Sequence, residues 1–281
     1  MKPTPIKPTP IRPGSALAAE FWEQGRSASC PVINIHAHPG PVYSGYMPNC
    51  RPADMVRELR KVGGRLMCVA PHSALFAPEI GNAEAESIVE EFPQEIRAYM
   101  TINPQYPELM LRDLAGFDKK RHIYVGFKLL PDYHRVRLSD RRYQAVFEFA
   151  DERGLPVISH TYANSPYNGE AEVEKVVARY SGLKFIMAHC LKANWRAAAA
   201  IARQYPHAYL DLTAVSGQWG AVDYLCTHAG SEKMLFGTDS PWYGLHQAIG
   251  QLLSADITDD DIHNILHRNA ERLLNLTDSE G

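Results

Sequence analysis

The residues best suited to chemistry are polar side chains that directly follow short apolar runs. Val32-Ile-Asn-Ile35 ends in His36-Ala-His38, Pro156-Val-Ile-Ser159 in His160, and Phe185-Ile-Met-Ala188 in His189. Val125-Gly-Phe127 likewise ends in Lys128, and Leu235-Phe-Gly-Thr238 in Asp239. An unpaired polar group at such a position is costly, so each should have a partner or a task. Side chains on a strand alternate between faces, so His36 and His38 are expected to leave the same face and can converge on one ion. That pair alone carries little weight: a chain with 12 histidines in 281 residues contains one by chance about half the time. The other strand ends give it meaning. Imidazole and carboxylate donors suit one divalent metal ion, Zn²⁺ first, with Mn²⁺, Fe²⁺ or Co²⁺ as alternatives. An ion held this way lowers the pKa of bound water toward about 7, and a leftover histidine can shuttle the proton.

These residues must be positioned by a repeating scaffold, and the sequence shows one. Strand-like runs at 32–35, 65–70, 97–102, 123–127, 156–159, 184–188, 208–212 and 234–237 alternate with helical patterns. The helices are read at 52–62, 83–92, 108–117, 140–153, 170–180, 194–205 and 218–228, then 244–253 and 259–274. Thr258 ahead of three aspartates is a good start for the last of them. Eight alternations in about 250 residues match a single-domain α/β (β/α)8 TIM barrel, where catalytic groups sit at the C-terminal strand ends. An open doubly wound sheet would need a Gly-rich nucleotide loop after the first strand, and Ala37-His-Pro-Gly40 is not one. The expected organisation is a lead segment over 1–30, with a Pro-rich arm and a short helix at 16–24, followed by the barrel over 31–281.

Composition narrows the partners. A net charge of −3 with no long run of one sign argues against nucleic acid or an anionic membrane as main partner. No apolar segment approaches the roughly 20 residues needed to span a bilayer. The start, MKPTPIKPTPIRPG, lacks the apolar region of a secretory signal and favours an extended arm. Five scattered cysteines without a CxxC fit a reducing, cytoplasmic setting. The expected partner is a small-molecule substrate, and homo-oligomerisation stays open.

The set His36-x-His38, His160, His189 and Gly237-Thr-Asp239-Ser-Pro241 resembles the amidohydrolase superfamily. More narrowly it is similar to the amidohydrolase-related (amidohydrolase 2) branch, which includes aminocarboxymuconate semialdehyde decarboxylase and 2-pyrone-4,6-dicarboxylate lactonase. The likeness runs from about Val32 to Leu276, and 257–274 resembles the branch's final helix. The resemblance implies that His36, His38 and His160 bind one metal, with Asp239 as ligand or as base toward its water and His189 as acid/base. It leaves two roles for Lys128: a cation for a substrate carboxylate, which is favoured, or a carbamylated bridge between two metals. Pairing with a neighbouring acid is the bland alternative for the same lysine.

His72, Tyr162 and Trp242 are the expected substrate contacts, in loops that also carry Tyr133, His134, Tyr167 and Trp195. Such a rim suits a small ring-bearing molecule, although loop aromatics often serve only to pack. The activity expected first is a metal-dependent hydrolase of an amide or lactone using metal-activated water. A non-oxidative decarboxylase on the same residues is the alternative, and a non-catalytic metal-binding barrel the least favoured.

Overall fold

A computed structural model describes residues 15–215 and 217–276 of the chain. The Pro-rich arm at 1–14 therefore lies outside the described residues. Eight strands form one parallel sheet in sequence order: β1 (Val32–Ala37), β2 (Gly64–Val69), β3 (Ile96–Ile102), β4 (Tyr124–Leu129), β5 (Pro156–Tyr162), β6 (Lys184–Lys192), β7 (Ala208–Asp211) and β8 (Met234–Leu235). The sheet curls until its ends meet. The Ile35 amide donates to the Phe236 carbonyl at 2.9 Å, and the His38 amide to the Ser240 carbonyl at 2.7 Å. The fold is the expected (β/α)8 barrel, and these bonds place His36 and His38 beside Asp239 at the seam.

Helices fill the outer layer. Proline opens those at Pro52–Lys61, Pro78–Glu91 and Pro107–Phe117, where its missing N–H costs nothing. Their apolar stripes, such as Met55, Val56 and Leu59, pack on the outward side chains of the strands. A second apolar cluster fills the inside: Ile33, Ile35, Leu66, Cys68, Tyr99, Ile158, Ile186, Ala188 and Leu235 come from six different strands. Ala270 and Leu273 of the last helix join it from below. The barrel is thus a packed core with polar groups at one mouth, as its layered interior requires.

The lead-in helix Ala16–Gln24 begins where expected, capped by Ser15, and Leu17, Ala18 and Phe21 are buried. The Ser15 hydroxyl also donates to Asp259 Oδ1 at 2.6 Å, which fastens this helix to the last one. Three departures from the sequence reading have physical causes. The short helices His72–Phe76 and Pro131–His134 are too brief to leave a period in the sequence. The helix read from residue 83 starts at Pro78. The helix read as continuous over 259–274 contains a π turn, Asn264–Arg268. That wider turn frees the Ile265 carbonyl, which accepts the Phe236 amide at 3.1 Å and ends β8 after two residues.

Candidate active site

At the C-terminal mouth, three sequence-chosen residues converge. His36 Nε2, His38 Nε2 and an Asp239 carboxylate oxygen belong to one group whose ligand atoms all lie within 4.8 Å of one another. The two Nε2 atoms are 3.0 Å apart, and Asp239 Oδ1 lies 3.1 Å from His38 Nε2 and 3.5 Å from His36 Nε2. A register irregularity between Asn34 and Ala37 breaks the pleat just ahead of the histidines. Ile33 and Ile35 point into the core while both imidazoles reach the mouth, the usual effect of such a break.

The outer nitrogens fix which way these rings work. His38 Nδ1 donates to the Ala70 carbonyl at 2.6 Å, which leaves Nε2 as the nitrogen facing the mouth. His36 Nδ1 faces Asp211 Oδ2 at 2.7 Å, and donating there leaves His36 the same way round. Burial, and then the Lys128 ammonium, hold the His36 pKa well below the ordinary value, which keeps the ring neutral. Burial works against an ionised Asp239, but the His38 contact and the neighbouring imidazoles hold its carboxyl well below the usual range. Two lone pairs and a carboxylate facing one another at about 3 Å repel unless a cation lies among them. Nitrogen and oxygen ligands about 2.0–2.2 Å from a common ion are naturally about 3 Å apart. The donor set therefore fits a divalent metal ion.

Lys128 is buried, and its Nζ is 2.7 Å from His36 Nε2. Burial lowers its pKa to about 8, opposed by the carboxylates of Asp239, Asp211 and Asp132. Its ammonium occupies the single His36 Nε2 lone pair that a metal ion would need, so metal binding would turn Lys128 to another acceptor at the floor of the mouth. His160 is near but does not join the convergent group. Its Nδ1 faces Asp132 Oδ1 at 3.3 Å, and its ring centroid is 5.2 Å from that of His189. His189 is 3% exposed, and neither of its ring nitrogens has a partner among the described residues. Burial pushes its pKa well down, so it is a neutral ring carrying one N–H and one lone pair. It sits at φ 65°, followed by Cys190 and Leu191 at 47° and 51°. Non-glycine residues in the left-handed region cost energy and mark places where geometry is imposed for a purpose.

The rim residues divide. Tyr162 stacks on His189 at 5.4 Å and meets His160 edge-on at 5.6 Å, so it walls the centre. His72 has both nitrogens engaged: Nδ1 donates to the Gly40 carbonyl at 2.7 Å, and Trp242 Nε1 donates to Nε2 at 2.9 Å. Together His72 and Trp242 make a braced edge beside His38. Tyr133 lies edge-on to His160 at 5.0 Å and stacks on Phe76. Trp195 instead packs against Tyr224.

Two residues escaped the sequence reading. Asp211, fully buried at the end of β7, orients His36 and accepts from Thr213 N and Oγ1 at 3.1 and 2.9 Å. A lone aspartate closing Ala208-Tyr-Leu210 was the available signal. Asp132 orients His160 and also accepts from Asn168 Nδ2 at 3.0 Å. Gly237 is required beside them, because a Cβ there would lie 1.9 Å from Asp211 Oδ1.

A parallel eight-stranded barrel with histidines and an aspartate gathered at its C-terminal mouth defines a class of metal-binding TIM-barrel enzymes. Residues 33–276 match the family model described as Amidohydrolase (Amidohydro_2), and the chain belongs to this family. No curated protein sequence matches. Among solved structures, a TIM-barrel protein from Bordetella bronchiseptica is 20% identical with a TM-score of 0.72, covering 87% of this chain and 98% of its own. A dihydroxybenzoic acid decarboxylase from Polaromonas sp. JS666, with bound manganese and 2-nitroresorcinol, is 15% identical at a TM-score of 0.69, covering 89% and 99%. A 5-carboxyvanillate decarboxylase from Sphingomonas paucimobilis is 17% identical at 0.63, covering 79% and 82%. At these identities the likeness shows the fold.

Proposed function

We propose that this protein is a metal-dependent enzyme that removes a carboxylate, without oxidation, from a small ring-bearing acid. The observation that carries this reading is His189, a buried neutral imidazole with neither nitrogen partnered among the described residues, beside the candidate metal-binding group. A group so costly to leave unpaired suits one that meets substrate, and proton transfer is its chemistry. Lys128 supplies the buried cation that a substrate carboxylate seeks. Tyr162 and Tyr133 offer walls for a flat ring. The decarboxylase names among the structural neighbours support the same reading.

His36, His38 and Asp239 would hold the ion, and His160, beside His189, is the remaining candidate ligand. A bound divalent ion would act as a Lewis acid toward a substrate oxygen next to the breaking bond. Lys128 and the aromatic walls orient the acid. As the carbon–carboxyl bond breaks, its electron pair stays on the ring carbon; His189, neutral at rest, takes up one proton from solvent and passes it from the imidazolium to that carbon, returning to the neutral ring. Carbon dioxide leaves.

Hydrolysis of a lactone or amide is the second reading, and Asp239 favours it. A carboxylate held ionised beside the ion can take a proton from an attacking water. A panel separates the two: hydroxylated benzoates and other cyclic carboxylic acids against lactones and amides, with Zn²⁺- or Mn²⁺-loaded protein. The proposal expects CO₂ release from an acid. Ring opening of a lactone without CO₂ would overturn it in favour of hydrolysis. His189→Asn should cut turnover by about 10²–10⁴-fold with metal still bound, the usual worth of general acid–base catalysis.

A further inference from the structure

A second group of ligand-type side chains converges at the opposite end of the barrel. Cys30 lies two residues ahead of β1, and His263 and His267 lie on the last helix. Their sulfur and ring-nitrogen atoms all fall within 4.8 Å of one another. We propose that Cys30, His263 and His267 form a Zn²⁺ site that ties the entry of β1 to the C-terminal helix.

The geometry is built rather than incidental. Cys30 is fully buried, and its amide donates to Ser27 Oγ at 3.2 Å, while that hydroxyl donates to Glu20 Oε2 at 2.6 Å. The sulfur is therefore held by a fixed turn. His263 and His267 are four residues apart, one turn along the helix, with ring centroids 5.3 Å apart and planes at 78°. His267 Nδ1 donates to Glu271 Oε2 at 3.1 Å, which turns its Nε2 lone pair toward the other two donors. A carboxylate behind a histidine in this way orients the ring and raises its basicity as a ligand. His267 Nε2 is 3.0 Å from His263 Nδ1, a spacing suited to two ligands of one ion.

The electrostatics agree. Glu20, Asp259 and Glu271 act on Cys30 from one side of the balance and Arg268 alone from the other, and Arg268 is itself within 3.2 Å of Asp260. The surroundings favour added positive charge. Burial pushes the bare Cys30 thiol up to about 12, so the thiolate needs a cation to form. On binding, the S–H proton passes to solvent and the sulfur lone pair goes to the ion. One thiolate and two imidazoles suit tetrahedral Zn²⁺, with water in the fourth position. The π turn Asn264–Arg268 starts directly after His263 and contains His267, and such turns gather at functional places.

The full chain, stripped with a chelator and titrated with Co²⁺ and then Zn²⁺, tests this. Sulfur lies near the mouth too, since Cys190 follows His189 and its Sγ donates to the Asp211 carbonyl at 3.0 Å, so a thiolate-to-cobalt charge-transfer band in the near ultraviolet is assigned to Cys30 by its loss in Cys30→Ser. The proposal expects that band, two equivalents of Zn²⁺ per chain and a higher Tm on zinc loading. Cys30→Ser should remove the band and one equivalent, whereas the double variant His36→Ala with His38→Ala should keep the band. If Cys30→Ser fails to fold, His263→Gln, which leaves the thiol in place, should still lose the second equivalent. No band in the cobalt-loaded chain, or a band that survives Cys30→Ser, would overturn the site. Either result leaves the reading of the active site untouched.

Discussion

Asp211 shows how much of this site depends on residues that never face substrate. Its Oδ2 accepts a hydrogen bond from His36 Nδ1 at 2.7 Å and so aims Nε2 into the mouth. Removing such a partner commonly costs about 10–100-fold in metal affinity. Asp211→Ala should therefore weaken Zn²⁺ binding by about that factor, measured by competition with a chromophoric chelator, with the circular dichroism spectrum unchanged. Undiminished affinity would mean that His36 needs no orientation. Gly237 contributes by absence, leaving the space that Asp211 Oδ1 fills. Gly237→Ala forces that carboxylate aside and should cost about 1–3 kcal/mol in urea unfolding, the range for overpacking. The histidines and Asp239 were legible because each closes an apolar run. Asp211 was not, because the sequence extends its apolar run to Leu212 and hides where the pairing of β7 stops. Asp132 was hidden in a helix of four residues.

At the scale of elements, local signals were legible where local forces decide. Thr258 accepts from the Asp261 amide at 3.1 Å, and Asp261 accepts in return from the Thr258 amide at 2.8 Å. That reciprocal cap follows from a threonine ahead of a run of aspartates. Thr258→Ala should cost about 1 kcal/mol in urea unfolding and leave metal content unchanged. A loss below a few tenths would mean that tertiary contacts alone hold this helix end. The π turn six residues further on carries no such signal. It exists because the Phe236 amide needs an acceptor and the helix supplies the Ile265 carbonyl. The break in β1 before His36 has the same character: pairing with β2 and the bridge from Ala37 to Ser240 set it, and alternation in the sequence does not show it.

Across the whole molecule, the order of strands decides that side chains far apart in sequence meet. Once eight strand–helix units are counted, closing the sheet brings residues 36, 160, 189 and 239 to one mouth without further information. Burial of so many neutral imidazoles in that arrangement has a consequence for stability. His134 is 4% exposed, with Nε2 against the Leu75 carbonyl at 3.1 Å. Burial lowers its pKa from the ordinary 6.5 to about 4, partly opposed by that carbonyl. Above pH 6.5 the ring is neutral in both the folded and the unfolded chain and contributes no pH dependence. Below it the unfolded chain takes up a proton that the folded chain refuses, so stability falls as pH drops. The loss runs at about 1.4 kcal/mol per pH unit for one proton and levels off near pH 4, where the folded ring also charges. Urea unfolding of metal-free protein between pH 7 and pH 4.5 measures the slope. His134→Gln keeps a donor for the Leu75 carbonyl but cannot titrate, so its slope should be flatter than that of the natural chain by close to one proton. Equal slopes would show that His134 is protonated alike in both states, and that its place beneath the rim carries no electrostatic cost.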